Sequence, residues 1–370
     1  MSHSTDPYED DLDDLPSPRP VHYAEQSLLG ALLLDPHRLP DIRGLGAEQF
    51  SNRAHGALFK AMRMVPMPDP EGHRSDPAWL NAVLAAARPQ APGLDASYLH
   101  TLVQVCPWPQ HAPTYARMIQ SDHARRMLLM HAQRLDQTAT DSTLPNRAVT
   151  TLAQADAIAQ FLDTLSGQFA PHPGSLPRTA MPTQPTARSS EEALDEERLL
   201  LATATAHPTA LKDMRWLQPD DFTQPLHAAL WQCLTSLVHR AEPVDPVTVL
   251  WEAQHRGLLA DDLAASDLMA LVSTPVGSAE YWGERLLQRA LLTCACDVAT
   301  RIATYAEDPA NTTHQLITGS RRALADLTAL RARWQRSTAP TPPTTPRAPR
   351  SPAVSRAGPP PRATSARALR

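Results

Sequence analysis

Two histidines are the first residues of this chain that suggest chemistry. His55 and His227 lie 172 residues apart, and each follows a phenylalanine, Phe50 or Phe222, by five positions. An imidazole at a recurring position could bind a metal ion or act as a general base. Neither histidine has another His, Cys or carboxylate at ligand spacing. We therefore expect packed or hydrogen-bonded structural histidines and no metal site.

The other reactive side chains also suggest structural roles. Cys294 and Cys296 are two residues apart, which on a helix directs them to different sides, so we interpret them as core or boundary thiols rather than a metal or disulfide pair. Glu25 and Glu197 recur 172 residues apart and could bind a partner or a base, but first-turn glutamates that favour the helix dipole explain them. No catalytic constellation has support from spacing, so we expect no catalytic residue and no cofactor.

These recurring residues belong to a longer internal repeat. Residues 24–62 align without a gap on residues 196–234, and twelve of the 39 aligned pairs are identical. A duplicated module explains this agreement, so every element is expected twice.

Apolar spacing predicts that both copies are helical. The second helix of each copy carries its apolar residues on one face, and Ser51 or Thr223 stands where an N-cap is expected. Each copy ends in two long helices, at about 113–138 and 146–168 in the first copy and at about 279–306 and 311–335 in the second. Helices of about 25 residues reach roughly 35 Å, which suits an antiparallel hairpin that projects and pairs with another hairpin.

Charge separates an acidic body from a basic end. Residues 336–370 hold seven arginines, nine prolines and no acidic residue, so the formal net charge of −5 leaves −12 on residues 1–335. An acidic body favours protein partners over direct contact with DNA. The arginines of the tail could neutralise phosphates and bind nucleic acid in a salt-sensitive way, and a bland disordered extension also explains them. They are Arg336, Arg347, Arg350, Arg356, Arg362, Arg367 and Arg370.

Composition divides the chain into five segments. They are a disordered acidic arm (1–20), a first helical domain (21–169), a flexible Pro/Ser/Thr-rich linker (170–190), a second helical domain (191–335) and a disordered Arg/Pro-rich tail (336–370). No apolar run approaches the roughly 18 residues that span a bilayer. With no CxxC pair and no leader sequence, we expect a soluble protein of the reducing cytoplasm.

Each copy also carries a recognisable set of residues. In the first copy the set is AEQSLLGALLLD (24–35), Phe50, His55, Phe59 and YARMI (115–119). In the second copy it is Asp221, Phe222, His227, Trp231 and PVDPVTVL (243–250). Both sets resemble the N-terminal domain of DnaB-type bacterial replicative DNA helicases. In that family the domain is all-helical, a globular part plus a protruding hairpin; it dimerises through hairpins, builds the collar of the hexameric ring and helps to engage the primase.

The resemblance implies an all-α fold with two tandem domains of this type. The motor domain of these helicases would need a GxxxxGK[ST] loop to hold nucleotide phosphates, and neither Lys60 nor Lys212 lies in a glycine loop. Our leading hypothesis is therefore a non-catalytic scaffold of DNA replication that binds a replicative helicase, a primase or itself through its helical hairpins. The alternatives are an accessory nucleic-acid-binding protein that uses the basic tail and, third, an ATP-dependent DNA helicase, which the missing loop disfavours.

Overall fold

Helices account for all the regular structure that can be described. The structure is a computed structural model that describes residues 19–73, 76–169, 176–180, 190–259 and 264–338, and within these ranges it contains thirteen α-helices and no β-strand. The expected all-α fold is confirmed. The helices are α1 (Pro20–Leu34), α2 (Arg53–Met64), α3 (Pro70–His73), α4 (Ala78–Ala87), α5 (Ala96–Val105), α6 (Ala112–Thr140), α7 (Arg147–Gln168), α8 (Glu191–Ala206), α9 (Pro225–His239), α10 (Pro246–His255), α11 (Ala265–Leu271), α12 (Ala279–Glu307) and α13 (Thr313–Thr338).

The internal repeat gives two modules built in the same order. Module 1 comprises α1–α7 and module 2 comprises α8–α13. Helix α1 corresponds to α8, α2 to α9, α4 to α10, α5 to α11, α6 to α12 and α7 to α13, while α3 has no counterpart in the described part of module 2.

Each module begins with a small globular part around its own core. In module 1 the completely buried Leu28 and Leu32 of α1 share a core with Leu58 of α2. In module 2 Leu200 of α8 shares a core with Leu230 of α9. Each fully buried leucine contributes about 1.5–3 kcal/mol through the hydrophobic effect. The apolar stripe at helical spacing therefore determines which face of each helix is buried.

Each module ends in a long antiparallel hairpin, α6–α7 or α12–α13. The bounds of these four helices agree with the sequence expectation to within three residues. Helices α6 and α12 both contain 29 residues and so reach about 43 Å at 1.5 Å per residue.

The expected N-caps of the second helix are displaced by one residue. Helix α2 is capped by Asn52, whose side chain accepts from the backbone N–H of Ala54 at 2.8 Å, and α9 has Gln224 at its cap position without a side-chain cap bond. Ser51 and Thr223 precede these caps. The prediction was wrong because a carboxylate from another helix satisfies the N–H groups at both helix starts, as described below.

Candidate functional site

A buried carboxylate joins the first two helices of module 1. Glu25 and His55 are fully buried, and Oε2 of Glu25 lies 2.7 Å from Nδ1 of His55. The backbone N–H groups of Ser51 and Asn52 also donate to the Glu25 carboxylate. Glu25 therefore satisfies N–H groups at the start of α2 and places negative charge at its positive end. The expectation of a hydrogen-bonded structural histidine is confirmed.

Module 2 repeats this junction. Oε2 of the fully buried Glu197 lies 2.7 Å from Nδ1 of His227. Thr223 donates to Oε1 of Glu197 from its backbone N–H at 2.7 Å and from its hydroxyl at 2.6 Å, and the backbone N–H of Gln224 donates to Oε2. The same connection thus ties α8 to α9, with the hydroxyl of Thr223 as an additional donor.

The expected role of the two glutamates was wrong. Because α1 begins at Pro20 and α8 at Glu191, Glu25 and Glu197 lie in the second turn of their helices and face the core rather than solvent. They act on a helix dipole, but on that of the following helix. Their interaction with the following helix depends on how the start of that helix packs against the helix that carries the glutamate, and only the tertiary structure shows this packing.

Burial and hydrogen bonding oppose each other at these carboxylates. Burial acts to raise the pKa of Glu25, but the hydrogen bonds from His55 and Ser51 outweigh it and hold the pKa below its ordinary value. The pKa of Glu197 is lowered in the same way, by His227 and Thr223 against burial. Both junctions therefore hold an ionised carboxylate.

Tyr98 extends the junction of module 1 into a chain of three groups. Its hydroxyl lies 2.6 Å from Nε2 of His55, so hydroxyl, imidazole and carboxylate follow one another as they do in many hydrolases. However, the side chains of His55 and Glu25 have no solvent exposure, and Asp267 aligns with Tyr98 in module 2. The part that both modules share is the carboxylate–imidazole pair, whose role is to join helices.

The two hairpins pack against each other within one chain. Buried residues of α6, α7, α12 and α13 belong to a single hydrophobic core. Arg125 of α6 contacts the chain around Ala306, while Asp136, further along α6, lies beside Cys296, earlier in α12. The two helices therefore run antiparallel. Helices α7 and α13 also run antiparallel, because Arg321 pairs with Asp163 at 2.7 Å while Arg331, later in α13, pairs with Asp156, earlier in α7.

Small residues stand at the centre of this interface. Ala132 and Ala299 occupy the same position in α6 and α12 when the two 29-residue helices are aligned from their first residues. The antiparallel contact brings this region of the two helices together, and the exposures of the two alanines are only 1% and 2%. The contacts of Arg125 with Ala306 and of Asp136 with Cys296 lie on either side of these alanines, so equivalent positions of the two helices face the same region, as in an isologous dimer, although both belong to one chain.

An arginine of module 1 caps a helix of module 2. The guanidinium of Arg125 donates to the backbone carbonyls of Ala306 at 2.9 Å, Asp308 at 2.6 Å and Asn311 at 2.5 Å. These carbonyls lie at and just beyond the C-terminal end of α12, where a helix leaves acceptors unpaired and favours a cation. Arg125 therefore fixes the turn of the second hairpin against the first.

Part of the linker also binds this turn. The side chain of Asn311, only 2% exposed, accepts from the backbone N–H of Arg178 at 3.1 Å and donates to the hydroxyl of Thr179 at 2.6 Å. Nε2 of Gln315 donates to the carbonyl of Leu176 at 2.9 Å. We call residues 176–180 the strap. It lies across the α12–α13 turn, a contact that the linker composition did not predict.

The remaining candidate residues behave as follows. Cys294 and Cys296 are free, half-buried and packed against the hairpin core, as expected, and burial raises the pKa of their thiols to about 12 and about 11. Arg336 lies in the last turn of α13, where Nε donates to the carbonyl of Ala332 at 3.1 Å. The other tail arginines, Arg347, Arg350, Arg356, Arg362, Arg367 and Arg370, lie outside the described residues.

The ranges that the structure describes lack two kinds of feature. Among these residues, no group of three or more His, Cys, Asp or Glu side chains is arranged to hold a metal ion. No helix in the same ranges is both long and apolar enough to cross a bilayer.

Comparison with known proteins agrees with the repeat. A family model described as the DnaB-like helicase N terminal domain matches residues 18–121 and residues 189–284. Over 127 residues the chain is 30% identical to the replicative DNA helicase DnaB of Mycobacterium leprae (strain TN), an alignment that covers 34% of this chain and 21% of that helicase. No solved structure matches the chain.

The family matches fall on the globular parts of the two modules and the first turns of α6 and α12. They are matches to the N-terminal domain, which is not the catalytic domain of these helicases. The chain aligns with about a fifth of the length of the curated relative. Because the two matched segments together cover more than half of the residues, the chain belongs to the family of the DnaB-like helicase N-terminal domain, and it carries that domain twice.

Proposed function

We propose that this chain is a non-catalytic scaffold of DNA replication. Its two modules form within one chain the hairpin-paired unit that two helicase subunits would otherwise supply. This unit docks onto a replicative helicase or a primase. The expected cytoplasmic location follows from that role and remains a prediction.

The antiparallel packing of the two hairpins is the observation that supports this proposal. Their apolar faces cover each other inside the chain, so the surfaces left for partners are the globular parts and the outer faces of the bundle. Between the hairpins, Arg125 replaces apolar contact with directional hydrogen bonds to three backbone carbonyls. Such bonds favour one fixed pairing over sliding. A fixed pseudo-dimer is suited to presenting two docking surfaces at constant separation.

The test is association with the helicase and the primase of the same organism. The purified full chain is expected to elute as a monomer by light scattering and to be retained by immobilised helicase or primase. A helicase lacking its own N-terminal domain is the matched control, since docking between collar-like domains should fail there. If neither the helicase nor the primase retained the chain, the proposal would be refuted. It would also be refuted if the primase did not retain the chain and the shortened helicase retained as much of it as the full-length helicase does.

A second candidate is an accessory protein that attaches to nucleic acid. Its support is the tail of residues 336–370, which has seven arginines and no acidic residue. The comparison is a titration of single-stranded DNA at two salt concentrations with the full chain and with a chain ending at Thr338, which keeps all of α13. Salt-sensitive binding that disappears on truncation would support this function. Absence of binding by both proteins would remove it.

A further inference from the structure

An acidic cleft lies at the start of the second hairpin. A cavity of about 470 Å³ opens between the end of α8 and the first turn of α12, and the carboxylates of Asp213 and Glu280 line it together with His207. The positive end of α12 faces the cleft, but it amounts to only about half an elementary charge and is outweighed by two carboxylates. The cleft therefore favours a cation.

Two exposed apolar residues, Val276 and Tyr281, directly precede and follow lining residues of this cleft in the chain, and we call them the rim. Val276 is 50% exposed and Tyr281 is 52% exposed, and the ring of Tyr281 lies edge-on to that of Trp282 with centroids 4.9 Å apart. Glu284 follows one turn later, and burial together with the nearby charge of Glu280 raises its pKa. A carboxylate crowded by another gains from a cationic partner. The surface thus combines aromatic area with unneutralised negative charge.

Module 1 lacks this combination. Alignment of α6 with α12 from their first residues places Pro113 opposite Glu280 and Arg117 opposite Glu284. At the end of the first helix, the repeat places Asp35 opposite His207 and Asp41 opposite Asp213, so module 1 keeps carboxylates there. The two glutamates at the start of the long helix, Glu280 and Glu284, are therefore the part of the acidic cleft that belongs to module 2 alone.

The C-terminal tail leaves the folded part beside the cleft. Arg333, near the end of α13, forms two hydrogen bonds to Asp221, at 2.5 and 2.9 Å, and donates to the carbonyl of Trp216 at 3.3 Å. The indole of Trp216 covers Gly283 so closely that a side chain there would collide with it. Gly283 lies in the first two turns of α12, next to the rim. Thr338, the last residue of α13, therefore ends close to the cleft.

The tail sequence fits such a surface. Prolines stand at every third position, 340, 343, 346, 349 and 352, and Arg347 and Arg350 are also three apart. A polyproline II helix has three residues per turn, so these prolines would share one face and the two arginines another. Proline-rich segments of this kind dock on grooves lined by aromatic rings, and arginine pairs well with carboxylates.

We propose that residues 340–352 of the same chain dock on the acidic cleft, with prolines against Tyr281 and Val276 and with Arg347 and Arg350 against its carboxylates. Residues 339–346 span about 25 Å at roughly 3.1 Å per residue, enough to reach the start of α12 from the end of α13. Docking makes these arginines unavailable to phosphates. It is thus an intramolecular brake on any attachment of the tail to nucleic acid, a role beyond the proposed scaffold function.

Brief trypsin digestion of the full chain, followed by intact-mass measurement, tests this proposal. Arg362 and Arg367 serve as internal references, because they belong to the same tail but lie beyond the docking segment. Cleavage after Arg347 and Arg350 is expected to be about five-fold slower than at the references, since proteolysis follows the population of the undocked tail. High salt should reduce this protection.

Two cleft variants and one control make the test specific. Asp213→Asn combined with Glu280→Gln removes only charge at exposed positions, and Tyr281→Ala removes the aromatic rim; each should abolish the protection. Trp251→Ala, at a residue of module 2 that is 62% exposed and lies on α10, should leave it unchanged. Circular dichroism checks that each variant is folded. The proposal would be overturned if, in the unmodified chain, cleavage after Arg347 and Arg350 were as fast as at the reference arginines, or if the protection survived in both cleft variants. Protection that grows with protein concentration would also overturn it, because it would indicate docking of the tail of a second copy.

Discussion

Replacing Glu25 by alanine tests the junction at the base of module 1. The substitution leaves three donors without their acceptor: the backbone N–H groups of Ser51 and Asn52 and the imidazole of His55. A buried donor without a partner costs about 1–3 kcal/mol, and a hydrogen bond to a charged acceptor contributes about 1.5–3 kcal/mol. We therefore expect Glu25→Ala to lower the free energy of unfolding of module 1 by about 3–5 kcal/mol.

Glu25→Gln separates charge from shape. The amide keeps most of the volume and one acceptor oxygen, so the expected loss is smaller, about 1–3 kcal/mol. Gln26→Ala changes the next residue of α1, which is half-buried and makes only a 3.4 Å contact with Tyr98. It should cost under about 1 kcal/mol. Urea unfolding, monitored by far-ultraviolet circular dichroism, should show the largest loss of unfolding free energy for Glu25→Ala, a smaller loss for Glu25→Gln and the smallest for the control Gln26→Ala.

The same junction predicts a dependence on pH. Because the pKa of Glu25 in the folded chain is held below its ordinary value of 4.5, its contribution to stability is present above that pH and is lost as the pH falls through the lowered folded value. Glu25→Gln should therefore show a weaker loss of stability than the unmodified chain on acidification below pH 4.5. If Glu25→Ala unfolds within about 1 kcal/mol of the unmodified chain, or if acid sensitivity is unchanged in Glu25→Gln, the carboxylate does not hold the two helices together.

Three further substitutions examine the hairpin interface. Arg125→Ala removes hydrogen bonds to three carbonyls of module 2 and should lower the melting temperature. The control Arg117→Ala, at an exposed position of the same helix, should change the melting temperature little. Equal effects of the two substitutions would contradict the capping role of Arg125. Asn311→Ala should release the strap, seen as faster hydrogen exchange of the Arg178 amide, and unchanged exchange would exclude this contact. Leu128→Ala creates a cavity at a fully buried site of the shared core and should cost about 2–5 kcal/mol by urea unfolding; a loss under about 1 kcal/mol would mean that the hairpins do not pack there.

Local sequence signals were sufficient for the elements and the repeat. The apolar spacing of Leu28, Leu29 and Leu32 predicts one buried face of α1, and all three are fully buried. The length of the helices that follow predicts a hairpin in each module, and both hairpins are present. These features depend on residues three or four positions apart, which the geometry of a helix places next to each other on one face.

The sequence failed where a contact joins distant residues. Ser51 and Thr223 resemble N-caps by residue type, but glutamates 26 residues earlier satisfy the helix starts instead. Arg125 resembles any solvent-exposed arginine of a long helix, and its acceptors lie more than 180 residues away. A side chain carries no local mark of the carbonyl that it will reach.

The sequence by itself determined that the chain is helical, that one module occurs twice and that each module ends in a long hairpin. Only the tertiary structure decided that the two hairpins pair with each other inside the chain, that Glu25 and Glu197 are buried connections between helices, and that part of the linker is bound as the strap. The physical reason is the separation along the chain between the residues that interact. Helix formation depends on hydrogen bonds and apolar faces between near neighbours along the chain, whereas pairing depends on how surfaces more than a hundred residues apart fit together and neutralise each other's charges and unpaired polar groups.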